Sequence, residues 1–90
     1  MIRVFILYSE QPDQERYERH VKLAREQVPG AEIRHGRVLG GMPEPEAAYY
    51  FEYEFPDRDA WKAAQDGLMA GAEDAQDMGV PFRVHFVELS

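Results

Sequence analysis

The chain has 90 residues, 44% hydrophobic and 12% aromatic, with a net charge of −7 and no cysteine. That length makes a single domain, 1–90, and the apolar content excludes a disordered chain. Without cysteine there are no disulfides or thiolate metal sites, which fits a cytoplasmic protein, and the negative charge argues against nucleic acid, whose phosphates need a positive field.

Met1 to Tyr8 reads as a first strand, with Ile2, Val4, Ile6 and Tyr8 on one face and Arg3, Phe5 and Leu7 on the other. Both faces are mostly apolar, as in a strand covered on both sides. The run is too short to span a membrane. The following Ser9-Glu10-Gln11-Pro12 has no small-residue cleavage pattern, so neither a membrane partner nor a signal peptide is expected.

From Asp13 to about Val28, apolar residues at Tyr17, Val21, Ala24 and Val28 recur every three or four positions, a helical stripe with charged residues on the wet side. His20 falls on that stripe. Pro29-Gly30 ends the helix. A second strand is expected from Ala31 to Leu39, with Ile33, His35, Arg37 and Leu39 on one face. Gly36 in its middle suggests a bulge, and Arg34 and Arg37 are candidates to pair with acidic residues across the sheet. Gly40 to Glu46, with two prolines and two glycines, reads as a hairpin loop.

The third strand, Tyr49 to Phe55, organises the rest. Five of the ten Phe and Tyr residues fall in these seven positions. Tyr49, Phe51, Tyr53 and Phe55 point one way, and Tyr50, Glu52 and Glu54 the other. Four rings on one face need a broad apolar partner, which places this strand inside the sheet. Pro56-Asp57 then opens a second helix with Asp57 as N-cap and Ala60, Trp61, Ala64 and Leu68 on its inner stripe. Gly67 and Gly71 are expected to end or kink it near Ala70, with a short helical turn from Ala72 to Asp77. The last strand runs from Phe82 to Leu89.

The order β-α-β-β-α-β, with right-handed crossovers, predicts a ferredoxin-like α+β fold: a four-stranded antiparallel sheet, both helices on one face, the first and third strands central. Two helices cover one face only, yet strands one, two and four carry apolar residues on both. A second copy packed sheet to sheet is the simplest cover, so a homodimer is expected.

The segment Tyr17-Glu18-Arg19-His20-Val21-Lys22-Leu23-Ala24-Arg25, then Val28-Pro29-Gly30, resembles the first-helix signature of EthD-like proteins. Arg37-Val38-Leu39-Gly40-Gly41 and the Tyr-Tyr-hydrophobic-Glu strand after it are similar too. That family takes its name from a gene set for ethyl tert-butyl ether degradation and belongs to the dimeric α+β barrel superfamily. The resemblance covers nearly the whole chain. It implies a dimer whose sheets close into a barrel, with a small pocket between helices and sheet in each subunit. Relatives include polyketide cyclases and cofactor-independent monooxygenases, and some EthD-like proteins carry the label reductase. The family usually shows two adjacent histidines and then, one residue on, a proline; here Arg19-His20-Val21-Lys22 keeps only the second histidine.

His20 is the candidate acid or base, an imidazole on an inward helical face near tyrosines. Its bland counterpart is a core histidine bonded to a backbone carbonyl or a tyrosine. Tyr8, Tyr17, Tyr49 and Tyr53 are candidates to orient a substrate, and Trp61 to wall the pocket, although such rings most often fill a core. The pocket walls are expected from the aromatic face of strand three and from helix one. His35 and His85 join His20 in a metal site only if the fold gathers all three, since no local His-x-x-x-His or Glu-x-x-His spacing exists; no metal is expected. No glycine-rich phosphate loop precedes a helix, so no nucleotide cofactor is expected and a true reductase would lack a site for its hydride donor. The acidic cluster Glu73, Asp74 and Asp77 reads as a solvated helix face.

Together these features favour a cofactor-independent enzyme of cyclase, dehydratase or monooxygenase type, acting on a hydrophobic aromatic or polyketide-like molecule. The alternative is a non-catalytic module that binds a hydrophobic metabolite. An RNA-recognition domain shares the strand order and the aromatics, but the charge opposes it.

Overall fold

The structure, a computed structural model, describes residues 1–90. In chain order the elements are β1 (Ile2–Tyr8), α1 (Gln14–Gln27), β2 (Glu32–Arg37), β3 (Tyr49–Phe55), α2 (Arg58–Ala63), α3 (Gln65–Asp77) and β4 (Phe82–Glu88). The four strands form one antiparallel sheet in the order β2-β3-β1-β4, so β3 and β1 are central as their aromatic and apolar density requires. Each crossover skips one strand, β1 to β2 over β3 and β3 to β4 over β1. This is the ferredoxin-like arrangement.

The alternation of β3 is realised as expected. Phe51, Tyr53 and Phe55 are buried under the helices with Ile2, Val4, Ile6 and Tyr8 of β1. From α1 the residues Tyr17, His20, Val21 and Ala24 face the same core, with Val28 closing the end. Asp13 caps α1 by accepting from the Arg16 amide, and Asp57 caps α2 by accepting from Ala60.

Three local expectations are corrected. Gly36 makes no bulge: it pairs with Tyr50 in unbroken register, and a Cβ there would meet nothing within 4 Å. Second, the helix after β3 does not end near Ala70. It breaks at Ala64, whose backbone (φ −93°, ψ 3°) leaves the helical range, and α3 then runs through Gly67 and Gly71 to Asp77. Those glycines are contact points. A Cβ on Gly67 would strike the backbone at Gln27, and one on Gly71 would lie 2.9 Å from the Tyr53 hydroxyl. Third, the face of β2 away from the helices carries Glu32, Arg34 and Gly36, so it is hydrophilic rather than apolar.

The side of the sheet away from the helices has no cover. On it Phe5 stacks between Tyr50 (6.0 Å) and His85 (5.0 Å), with Leu7 and Val87 half-buried nearby. Beside them Arg3 and Arg34 share Glu52 and Glu54. Arg34 is thus the cross-strand partner its sequence position suggested. Arg37 is not, because its side chain lies on the helix-side face, away from both carboxylates.

Glycine substitutions separate contact from chain freedom. Gly67→Ala is expected to cost about 1–3 kcal/mol by overpacking against α1, whereas Gly36→Ala is expected to be neutral or stabilising by up to about 1 kcal/mol. Denaturant melts of the two variants measure the contrast.

Candidate functional site

The site starts from the spacing of helix α1. Arg16 and His20 are one turn apart, so both look toward α3, which runs antiparallel alongside: Gly67 meets Gln27, and Asp74 meets Arg16 and His20. Gly67, Gly71 and Ala75, buried at four-residue spacing, form the side of α3 that permits this approach. Asp74 sits beside that stripe.

Asp74 accepts from the His20 Nδ1–H at 2.8 Å and from Arg16 at 2.8 Å and 3.1 Å. The carboxylate therefore fixes the Nδ1–H tautomer and leaves Nε2 as an acceptor, which the Tyr8 hydroxyl approaches at 3.3 Å. The result is a chain of four side chains, Arg16, Asp74, His20 and Tyr8, leading from solvent into the core. His20 is only 3% exposed. Burial pulls its pKa below the ordinary value, and the hydrogen bond to Asp74 opposes this without reversing it. His20 is therefore neutral at pH 7, a base whose remaining lone pair meets only the Tyr8 hydroxyl. The Arg16 guanidinium, with some help from His20, holds Asp74 below the usual carboxylate range, and burial pushes the Tyr8 hydroxyl far above the ordinary phenol value. Tyr8 is thus a neutral hydrogen-bond donor and not a resident anion.

His20 and Tyr8 line the buried end of an apolar cavity of about 160 Å³ between α3 and the sheet. Its floor is Val4 and Ile6 of β1 with Phe82 and Val84 of β4; its roof is α3 from Leu68 to Ala75. The expected walls are corrected here: β3 contributes only Tyr53 and α1 only His20. Tyr17 of α1 packs its ring on Phe51 of β3 and His35 of β2, whereas the space lies between α3 and the strands β1 and β4. Phe86 and Met69, 59% and 60% exposed, mark the mouth.

Of the residues singled out in the sequence, Tyr8, His20 and Tyr53 meet at this cavity. Tyr17 and Tyr49 do not. They pack edge to face at 4.8 Å on the far side of α1, beside a shallow polar groove that includes His35. Trp61 packs on Phe86 at 5.8 Å, outside the cavity lining. His85 lies on the uncovered face of the sheet, stacked on Phe5, so it and His20 are separated by the sheet and the three histidines do not converge. Asp74 and Arg16 were missed. Asp74 is only partly exposed, three residues after Gly71 and next to the small-residue stripe, and Arg16 stands one turn before His20. Spacing is the one signal the sequence holds for them, and it does not name the partner.

Fold and site define a ferredoxin-like α+β protein with a buried, carboxylate-held histidine at the end of an apolar cavity. Among solved structures the chain is similar to an EthD (ethyl tert-butyl ether d) family protein from Bacillus halodurans: 19% identity over 100% of this chain and 99% of that one, TM-score 0.76. A dimeric ferredoxin-like protein of unknown function from Thermobifida fusca matches at 18% identity over 98% and 90%, TM-score 0.65. SnoaB, a cofactor-independent oxygenase from Streptomyces nogalater, matches at 14% identity over 98% and 91%, TM-score 0.62. At these identities the likeness is one of fold, and the resemblance to EthD-like proteins extends through the whole of it. No family model and no curated protein matches the chain. No helix is long and apolar enough to cross a membrane.

The dyad makes stability fall with acid in two stages. His20 has a lowered folded pKa, so below about pH 6.5 the unfolded chain takes up a proton that the folded one refuses, and stability declines until the folded pKa is passed. Asp74, also lowered, holds its contribution above about pH 4 and loses it below. Urea melts from pH 8 to 4 are expected to show a steeper first decline in the native chain than in His20→Gln, where His35, also lowered by burial, still contributes. At pH 7, Asp74→Ala is expected to cost about 1–3 kcal/mol by orphaning a buried N–H. Asp77→Ala, with that side chain 81% exposed, is expected to stay within about 0.5 kcal/mol.

Proposed function

We propose that this protein is an EthD-like homodimer whose cavity binds a small hydrophobic molecule and transfers a proton to or from it without a cofactor. The observation that carries the catalytic part is the Asp74–His20 pair, set at the buried end of an otherwise apolar cavity. A neutral imidazole that lines an apolar void, with one nitrogen held by a carboxylate and the other meeting only a long bond from a tyrosine hydroxyl, is built as a general base. Nε2 takes a proton from a carbon beside a carbonyl, or from a ring hydroxyl, and Asp74 stabilises the imidazolium that forms. Arg16 keeps Asp74 ionised throughout. Tyr8 or Tyr53 then donates a hydrogen bond to the developing oxyanion. Ring closure, loss of water or, with dioxygen as co-substrate and oxidant, oxygenation of the resulting anion are the reactions that such a step opens. The fold shared with SnoaB supports this choice.

The assembly is part of the same proposal. The uncovered sheet face, with Phe5, Tyr50, Leu7 and Val87 at its centre, is where a second copy packs; the Thermobifida fusca structure of this fold is described as dimeric. A cytoplasmic location fits the absence of cysteine.

The test of the site is an NMR titration of the His20 ring, alone and with phenolic or polyketide-like compounds, followed by turnover of any binder. His20 is expected to titrate below 6.5, to respond to a binder, and to give a kcat/KM that rises with pH through its pKa and is flat above it. His20→Gln is expected to lower turnover by about 10²–10⁴-fold with binding largely kept. Binding without turnover in either form would instead establish a non-catalytic carrier. For the assembly, light scattering is expected to give twice the 10.4 kDa chain mass and Phe5→Glu the chain mass itself; a native monomer would refute the dimer.

A further inference from the structure

The two ends of the cavity differ in chemistry, and the difference defines what fits between them. We propose that the site takes a neutral, single-ring compound with a weakly acidic hydroxyl at its buried end and an apolar substituent opposite. This rests on the acid/base reading of His20 given above.

Size sets the ring count. An apolar cavity of about 150 Å³ holds one benzene ring, and this one measures about 160 Å³, so a fused polycyclic frame does not fit within it. Charge sets the ionic state. Eleven of the 14 lining residues are hydrophobic, and none is Lys, Arg, Asp or Glu. The nearest ions, Arg16 and Asp74, are bonded to each other behind His20. A carboxylate or ammonium entering the cavity would lose its water and gain no counter-ion, which is prohibitive. A neutral hydroxyl meets a partner at once: the Nε2 lone pair, which Tyr8 engages only at 3.3 Å, near the long limit for such a bond.

Orientation follows from the gradient of exposure. Tyr8 and His20 are 1% and 3% exposed, whereas Met69 and Phe86 at the mouth exceed half. The polar end of the ligand therefore lies deep, against Nε2. A substituent para to the hydroxyl leaves between Met69 and Phe86, where apolar surface receives it.

The experiment titrates three probes into the full chain at pH 7: 4-ethylphenol, which stays neutral as a tyrosine hydroxyl does, ethylbenzene, and 4-ethylbenzoate. The readouts are the methyl signals of Val4, Ile6, Leu68 and Val84 and the ring signals of His20. The expected order is 4-ethylphenol about 10-fold tighter than ethylbenzene, one net hydrogen bond, and 4-ethylbenzoate weaker than either. Only the phenol is expected to shift His20. Ala72→Phe, which fills the cavity from its roof, is expected to abolish binding of all three while the signals of the uncovered sheet face stay in place. Benzoate binding as tightly as the phenol, or ethylbenzene equalling it, overturns the proposal. If another compound moves His20 while 4-ethylphenol does not, this ligand class falls and the acid/base reading stands. If no compound, ethylbenzene included, moves any cavity signal, both fall.

Discussion

The close approach of α3 to α1 and the sheet is the constraint on which the rest of this structure depends. Helices with ordinary side chains at their contact lie 8–10 Å apart. Here Gly67 lies against the backbone of Gln27 and Gly71 against the Tyr53 hydroxyl, with no room for a Cβ at either. Only this approach lets the short side chain of Asp74 reach the ring of His20 and the guanidinium of Arg16 at once. Glycine inside a helix costs about 1 kcal/mol relative to alanine. In α3 that cost is offset by the packing and by the charge-assisted bonds that the approach makes possible.

The same approach orders the electrostatics. A histidine buried alone would be neutral with either tautomer available. Asp74 removes that freedom by claiming Nδ1, and two bonds from Arg16 keep the carboxylate from drawing a full proton onto the ring. Burial then decides the charge: His20 stays neutral, Tyr8 stays protonated, and the Arg16–Asp74 ion pair lies outside the cavity lining. An apolar chamber thus has basicity at one end and no net charge in its walls.

Much of this was legible in the sequence, because the signals were local and periodic. Strict alternation over Tyr49–Phe55 placed β3 and its rings, and the stripe through Tyr17, Val21 and Ala24 placed α1 and turned His20 inward. The register of these elements in a β-α-β-β-α-β order left one sheet topology standing. What escaped was tertiary. Gly67 and Gly71 carry the same local propensity whether they end a helix or let one pack closely; only the partner surface, Gln27 and Tyr53, distinguishes the cases. Ala64 has no chemistry that announces a break, and the helix turns there so that Trp61 reaches Phe86 while α3 lies along α1. Asp74, in an acidic run, looked solvated because a charge pattern does not reveal which carboxylate meets a cation 58 positions away.

The two faces of β1 bind the separate features into one argument. Val4, Ile6 and Tyr8 form the cavity floor and the hydrogen-bond partner of His20, while Arg3, Phe5 and Leu7, alternating with them, lie on the uncovered face. A strand is a single layer of backbone, so whatever packs against Phe5 and Leu7 bears directly on the positions of Ile6 and Tyr8. In the proposed dimer the partner sheet would fix the floor against which the proposed ligand's ring would lie. It would also hold the Tyr8 hydroxyl at its distance from Nε2. That gives a physical reason for a chain of this size to dimerise on this face: 90 residues bury a modest core, and the cavity thins it further. In that dimer a second sheet would restore the missing layer without closing the mouth, which opens between α3 and β4 on the opposite side.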